Sequence, residues 1–183
     1  MEFSLIKINN NNLHILKNLF QLYIHDISKE LSWNVNNNGL FEAYSLDDWF
    51  KDKNNFGYII YVENNIAGFV MIDKEFKVLE NKPENLNLSE IFILNNFKGK
   101  GLAKNVVLKV FDLHKANWEI RPVPMSNSAH LFWEKVLSKN FPYIVKNMNG
   151  KQIDLLIHFL ICNIYFLKTL SGVRLFISPP FLM

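Results

Sequence analysis

Apolar and polar positions alternate over residues 3–8, the period-two pattern of a half-buried strand. Asparagines at 9–12 follow as a turn able to cap a helix. Leu13, Leu16, Leu19, Phe20, Tyr23, Ile24 and Ile27 then recur at helical spacing, which predicts an amphipathic helix from 13 to about 28. Residues 31–50 are irregular, but 46–50 read as a short helix capped by Ser45. Two apolar runs, 57–63 and 66–73, flank Asn64-Asn65, and because Asn tolerates positive φ they read as a hairpin. A polar loop over 74–85 leads into a strand at 86–94 rich in Ile, Leu and Phe. The spacing of Leu102, Val106, Val107, Val110, Phe111 and Leu113 is helical again. A strand at 118–122 is stopped by prolines. Ser126 or Asn127 caps a last helix, 129 to about 137, with Ala129, Phe132, Trp133 and Val136 as its buried stripe. Residues 141–146 read as a strand and Asn149-Gly150 as a turn. This order of elements predicts a mixed α/β layer structure.

The segment 153–183 differs in character. Residues 155–167 are nearly all apolar, interrupted by His158 and Asn163. The run is shorter than the roughly 20 residues a spanning helix needs, so it reads as a buried strand, a buried helix or an interfacial segment. The expected organisation is therefore one domain over 1–150 and a divergent hydrophobic segment over 151–183, either a completing strand or an atypical tail. A chain of 183 residues with 49% apolar positions can build such a domain core without disulfides. Cys162 is the lone cysteine and has no internal partner. With no basic stretch leading into an apolar one at the N-terminus, no signal peptide is read and a cytoplasmic location is expected. The net charge of +3 mildly favours anionic ligands, and no nucleic-acid partner is expected.

Chemistry concentrates where the strand at 86–94 runs through a short basic loop into the helix beginning at Leu102. The first turn of a helix carries backbone N–H groups without internal acceptors and a partial positive charge. Such a terminus binds anions, phosphate above all. In Lys98-Gly99-Lys100-Gly101-Leu102-Ala103 the glycines permit positive φ and close backbone approach, while Lys98, Lys100 and Lys104 add charge. The pattern predicts a phosphate site, read as a diphosphate site. It is neither the Walker loop nor the six-position dinucleotide fingerprint. No His, Cys, Asp or Glu cluster has metal spacing, so no metal is expected.

Lys98-x-x-Gly101-x-Ala103 resembles the Arg/Gln-x-x-Gly-x-Gly/Ala signature of the GNAT superfamily of acetyl-CoA-dependent N-acetyltransferases, with Lys in the first position. Downstream, Ala129-x-x-Phe132-Trp133-Glu134-Lys135 is similar to that family's second motif helix, preceded by Asn127. Upstream, residues 22–28, Ala67-Gly68-Phe69 and Trp118-Glu119 resemble a bacterial subgroup of predicted acetyltransferases. The resemblance covers roughly residues 1–146. It implies a central, mostly antiparallel sheet, splayed between its fourth and fifth strands and flanked by helices, with the pantetheine arm of the co-substrate in the gap.

By the same resemblance, Phe92, Ile93 and Leu94 line that arm, and a backbone N–H near Leu94 polarises the thioester carbonyl. Lys98, Gly99, Lys100, Gly101, Leu102 and Ala103 hold the pyrophosphate, and Asn127 belongs to the cofactor site. Glu90 is the candidate general base, Glu119 a weaker one, and His25 and Asp26 lie near where acceptors enter. Trp133 stands where the family often has an acidic Tyr, leaving Tyr143 as a substitute. The expected activity is acetyl transfer from acetyl-CoA to the primary amine of a small molecule or peptide, by direct attack in a ternary complex. The alternative is a catalytically weakened acyl-CoA-binding module of the same fold. A monomer or homodimer is expected, and no membrane partner, although residues 155–167 also raise the reading of a peripheral membrane protein.

Overall fold

In a computed structural model of the chain, the described residues are 1–42, 44–76, 79–121, 127–141, 143–148, 152–157 and 174–176. Of residues 30, 127, 128, 144–148, 152–157 and 174–176 the backbone alone is described. Two compact units emerge, one formed by residues 1–74 and 88–109, the other by 75–87 and 110–183. The architecture is mixed α/β, and its strands pair antiparallel except that β4 and β5 run parallel.

The first unit contains β1 (Ser4–Lys7), α1 (Leu13–Leu31), α2 (Leu46–Trp49), β2 (Phe56–Val62), β3 (Asn65–Asp73) and most of β4 (Asn85–Ile93). Its strands lie in the order β1-β2-β3-β4. The helical spacing read along α1 has a direct packing cause. Leu16, Leu19, Phe20, Tyr23 and Ile24 are buried in one cluster with Ile59, Phe69, Met71 and Phe92 of the strands. The helix runs three residues past its expected end and stops at Ser32, which takes a left-handed conformation (φ 54°) and returns its N–H to Ser28. Ser45 caps α2 as its type predicts, accepting the Asp48 N–H at 3.3 Å.

The hairpin forms, but its turn lies one residue earlier than expected. Val62 pairs with Asn65, so Glu63 and Asn64 make the turn and Glu63, not the Asn pair's second member, takes positive φ (55°). Further along, the register slips between Ile60 and Tyr61, and Ala67 becomes the extra residue of a bulge on β3. Its neighbour Gly68 lies against β4 so closely that a Cβ there would stand 1.9 Å from the Phe92 carbonyl oxygen.

The second unit holds β5 (Asn117–Ile120), α4 (Asn127–Leu137), β6 (Tyr143–Met148), β7 (Gln152–Ile157) and β8 (Arg174–Phe176), together with the first residues of β4 and the end of α3 (Leu102–Leu113). Strands follow the order β4-β5-β7-β6-β8. Thus the start of the apolar C-terminal segment is a strand, inserted between β5 and β6; residues 158–173 and 177–183 lie outside the described residues. Phe111 and Trp118 stack with centroids 4.5 Å apart, and Phe111 meets Phe141 edge-on at 5.4 Å. Leu113, counted in the helical pattern, is half exposed at the end of α3. Asn117 ties β5 beside β4, its backbone N–H donating to Glu84 and its side-chain amide to Asn85 Oδ1.

Gly68→Ala is expected to lower stability by about 3 kcal/mol, because a methyl group has no room beside the Phe92 carbonyl. Urea unfolding followed by circular dichroism measures it. A loss below about 0.5 kcal/mol, the range of an ordinary surface substitution, would show that β3 and β4 do not approach this closely.

Candidate active site

Side chains alternate between the faces of β4, so Glu90 and Phe92 share one face and Ser89, Ile91 and Ile93 the other. The Phe92 ring lies 5.9 Å from Tyr23 of α1 and 5.7 Å from Phe69, and Tyr23 meets Phe69 edge-on at 5.8 Å. Beside this aromatic layer the Tyr23 hydroxyl donates a hydrogen bond to Glu90 Oε2. Burial holds the Tyr23 hydroxyl far above its ordinary pKa, and the Glu90 carboxylate pushes it further the same way. Tyr23 therefore keeps its proton at neutral pH and orients the Glu90 carboxylate. Sequence reading assigned Tyr23 to the core face of α1. A hydroxyl on a buried helical stripe signals that a polar partner is needed, but nothing local names Glu90.

One turn further along α1, Asp26 Oδ2 accepts from Lys98 Nζ at 2.6 Å. The same ammonium sits 5.6 Å from the centroid of the Phe92 ring. Lys98, expected at the phosphate, thus reaches back over β4.

A short 3-10 turn, Asn95–Phe97, separates β4 from the loop. The turn was not read from sequence; Lys98 N–H closes it onto Asn95 at 3.2 Å. Gly99 and Gly101 both take positive φ, 75° and 79°, and a Cβ on either would face open space. Their conformation is a backbone requirement, not a packing one. Among the described residues, the N–H groups of Gly99, Lys100 and Gly101 make no backbone hydrogen bond. α3 begins at Leu102, and the N–H groups of its first turn have no acceptor within the helix. Lys100 Nζ donates to the Asn96 carbonyl at 2.8 Å. The result is a run of backbone donors without backbone acceptors among the described residues, at the positive end of a helix, an arrangement that suits an anion.

Leu94 behaves differently from its neighbours. It lies just past the end of β4, and its N–H donates to the Ala67 carbonyl at 2.8 Å. The expected carbonyl-polarising donor near Leu94 is therefore not the Leu94 amide. Successive N–H groups of a strand point to opposite edges, so the Ile93 N–H points away from β3.

The remaining candidates lie in the second unit. Glu119 is fully buried; its Oε2 accepts the Leu79 N–H at 2.9 Å and its Oε1 stands 3.7 Å from Arg121 Nε. Arg121 in turn donates to the Glu75 carbonyl. Glu119, with Arg121, thus braces Leu79 and Glu75 against β5. Trp133 is buried on α4, edge-on to Phe132. Tyr143 lies buried on β6, where burial and then Glu134 raise its pKa. Asn127 opens α4, and its side chain lies outside the described residues. In the first unit, His25 is exposed on α1, its ring 6.3 Å from Phe41.

The sequence matches the acetyltransferase (GNAT) family over residues 19–137. The chain belongs to that family. This range holds most of α1, β4, the glycine loop and α4, so the matched region includes every candidate site residue discussed above except Tyr143. No curated protein matches the chain by sequence. Among solved structures, an acetyltransferase from Thermus thermophilus is similar at 14% identity and a TM-score of 0.61, over 86% of this chain and 97% of that one. The PaiA N-acetyltransferase of Thermoplasma acidophilum, in complex with coenzyme A, is similar at 12% identity and 0.56, over 87% and 100%. Arabidopsis thaliana Naa50, bound to the bisubstrate analogue CoA-Ac-MVNAL, is similar at 16% identity and 0.52, over 87% and 100%. At these identities the likeness is one of fold. Among the described residues, no helix is long and apolar enough to cross a membrane, and no group of three His, Cys, Asp or Glu could hold a metal.

Tyr23→Phe removes the bond to Glu90 and is expected to cost about 2 kcal/mol at pH 7. The Tyr23 pKa is raised on folding, so its stabilisation is whole below the unfolded value near 10 and falls as pH rises beyond it. The stability gap between wild type and variant should therefore narrow above about pH 10. Denaturant unfolding at both pH values checks this. A gap that widens would place the tyrosine proton elsewhere.

Proposed function

We propose that this chain moves an acetyl group from acetyl-CoA to a primary amine by direct attack within one ternary complex. The observation that carries the reading is the pair of left-handed glycines, Gly99 and Gly101, opening backbone N–H groups at the start of α3. A diphosphate satisfies those donors, and Leu102 and Ala103 contribute the first-turn amides. Lys100 adds cationic charge to the loop, and Lys98 does so once its ammonium leaves Asp26. Phe92 and Ile93 end the strand that leads to the loop and Leu94 follows them, so a pantetheine arm extending from the diphosphate would run along these residues. The CoA-bound and bisubstrate-bound neighbours support this placement as fold analogies.

The reaction needs three things from the protein. It must hold the amine and the thioester together, which supplies much of the barrier reduction. A proton must leave the attacking nitrogen, and Glu90 is the acceptor on this strand. Its Tyr23 partner fixes the carboxylate in place. Negative charge grows on the thioester oxygen as the nitrogen bonds to the carbonyl carbon, and the Ile93 N–H is the donor we assign to it. The C–S bond then breaks and the thiolate leaves; of the two protons an ammonium sheds in becoming an amide, one resides on Glu90 and the other passes to the departing sulfur or to water. A CoA thiolate is a tolerable leaving group, so the chemistry does not depend on a tyrosine at position 133.

The acceptor class is a primary amine of a small molecule or peptide. Which amine depends on the loops around 31–50 and 74–85.

Glu90→Gln should lower kcat about 100-fold with little change in the KM for acetyl-CoA, as loss of a general base does. Gly101→Glu should abolish coenzyme A binding, because it places bulk, negative charge and a strained left-handed residue in the phosphate loop. Thiol release across a panel of amines and calorimetric CoA titration measure these. Tight CoA binding without turnover on any amine would instead favour a binding module. An unchanged CoA affinity in Gly101→Glu would remove the phosphate assignment.

A further inference from the structure

Lys98 opens the phosphate loop, yet its ammonium is not at the loop. It is 2.6 Å from the Asp26 carboxylate and 5.6 Å from the centre of the Phe92 ring. A carboxylate and an aromatic face around one ammonium are the recognition set for a primary alkylammonium. The protein's own side chain shows that the set accepts such a group. Glu90, held by Tyr23, lies two residues before Phe92 on the same face of β4, roughly 7 Å away along the strand. An ammonium seated here is thus close to the proton acceptor of the proposed reaction.

We propose that Asp26 and the Phe92 face form the binding site for a primary alkylammonium acceptor, closed in this structure by Lys98 and opened when a diphosphate draws Lys98 to the loop. This rests on the acetyl-CoA reading above. The exchange is physically easy. The Lys98–Asp26 pair is half exposed, 46% and 32%, and pairs so placed contribute little to stability. A diphosphate at the start of α3 carries more negative charge than one carboxylate and already has backbone donors around it. Lys98 is anchored at the loop, so only its flexible side chain must move. Once it has moved, Asp26 loses its cationic partner, while Tyr23, one turn before Asp26 on α1, still holds the Glu90 carboxylate of β4. That charge pattern attracts an ammonium and repels an anionic acceptor.

Coupling between the two substrates follows. Coenzyme A removes the internal competitor of the amine, so each ligand strengthens the binding of the other by the same factor. Lys98 is thus a positioning residue, acting through the place its ammonium vacates.

The test uses coenzyme A and 1,4-diaminobutane as non-reacting probes, titrated calorimetrically against the full chain. In the wild type, saturating coenzyme A should tighten diaminobutane binding about tenfold. Lys98→Met should bind diaminobutane without coenzyme A about as well as the loaded wild type does, with the coupling gone and coenzyme A itself bound several-fold more weakly. Asp26→Asn should weaken diaminobutane at least tenfold in both states while binding coenzyme A equally or more tightly. Equal amine affinity with and without coenzyme A in the wild type would overturn the inference, and so would unchanged amine binding in Asp26→Asn. A wild type that fails to bind coenzyme A at all would instead sink the acetyl-CoA reading beneath it. The wild-type coupling needs no variant, so a substitution that failed to fold would not remove the test.

Discussion

The backbone of β3 presses on that of β4 at Gly68, where any side chain would strike the Phe92 carbonyl. Much of the candidate site depends on this contact. The bulge at Ala67 and the bond from the Leu94 N–H to the Ala67 carbonyl set where β4 ends. That register puts the Phe92 ring against Tyr23 and Phe69, and Glu90 within reach of the Tyr23 hydroxyl. By strand alternation it also directs the Ile93 N–H away from β3. A shift of one residue would exchange the faces and turn Glu90 away from α1.

Charge is arranged around the end of β4 with opposite signs. Glu90 and Asp26 stand where α1 meets β4, and Lys98, Lys100 and Lys104 belong to the loop and the first turn of α3. Lys98 links the two groups, drawn to Asp26 and the Phe92 face in this structure. The proposed acetyl transfer would use both signs: cations and backbone dipoles for phosphate, carboxylates for the amine and its proton. The Tyr23 hydroxyl, kept protonated by burial and by Glu90, orients one carboxylate without cancelling its charge.

Buried polar groups in the second unit do structural work. Glu119 accepts the Leu79 N–H and faces Arg121, and Asn85 bonds both Glu80 and Asn117. A buried carboxylate on a strand invites a catalytic reading from sequence. The Leu79 N–H and the Arg121 guanidinium beside it support a bracing role, since burial without partners would be costly.

Local chemistry made much of this protein legible from its sequence. The stripe from Leu13 to Ile27 pointed to a helix with one apolar face, Ser45 offered a cap, and glycines spaced two apart before Leu102 permitted an open, left-handed approach to α3. Each depends on residues within a few positions of one another, so periodicity and φ preferences suffice. Tertiary structure alone decided the rest. Tyr23 and Glu90 are 67 residues apart, and Lys98 and Asp26 are 72 apart; no pattern along the chain names either pair. The apolar run after Ile153 has no alternation to distinguish strand from helix, and pairing of β7 with β5 and β6 made its first part a strand. The turn fell on Glu63 because the register of β2 and β3 overrode Asn's preference for positive φ. Spacing specifies a local conformation, but partners are chosen by which surfaces can be buried together, and that is settled only when the chain has closed on itself.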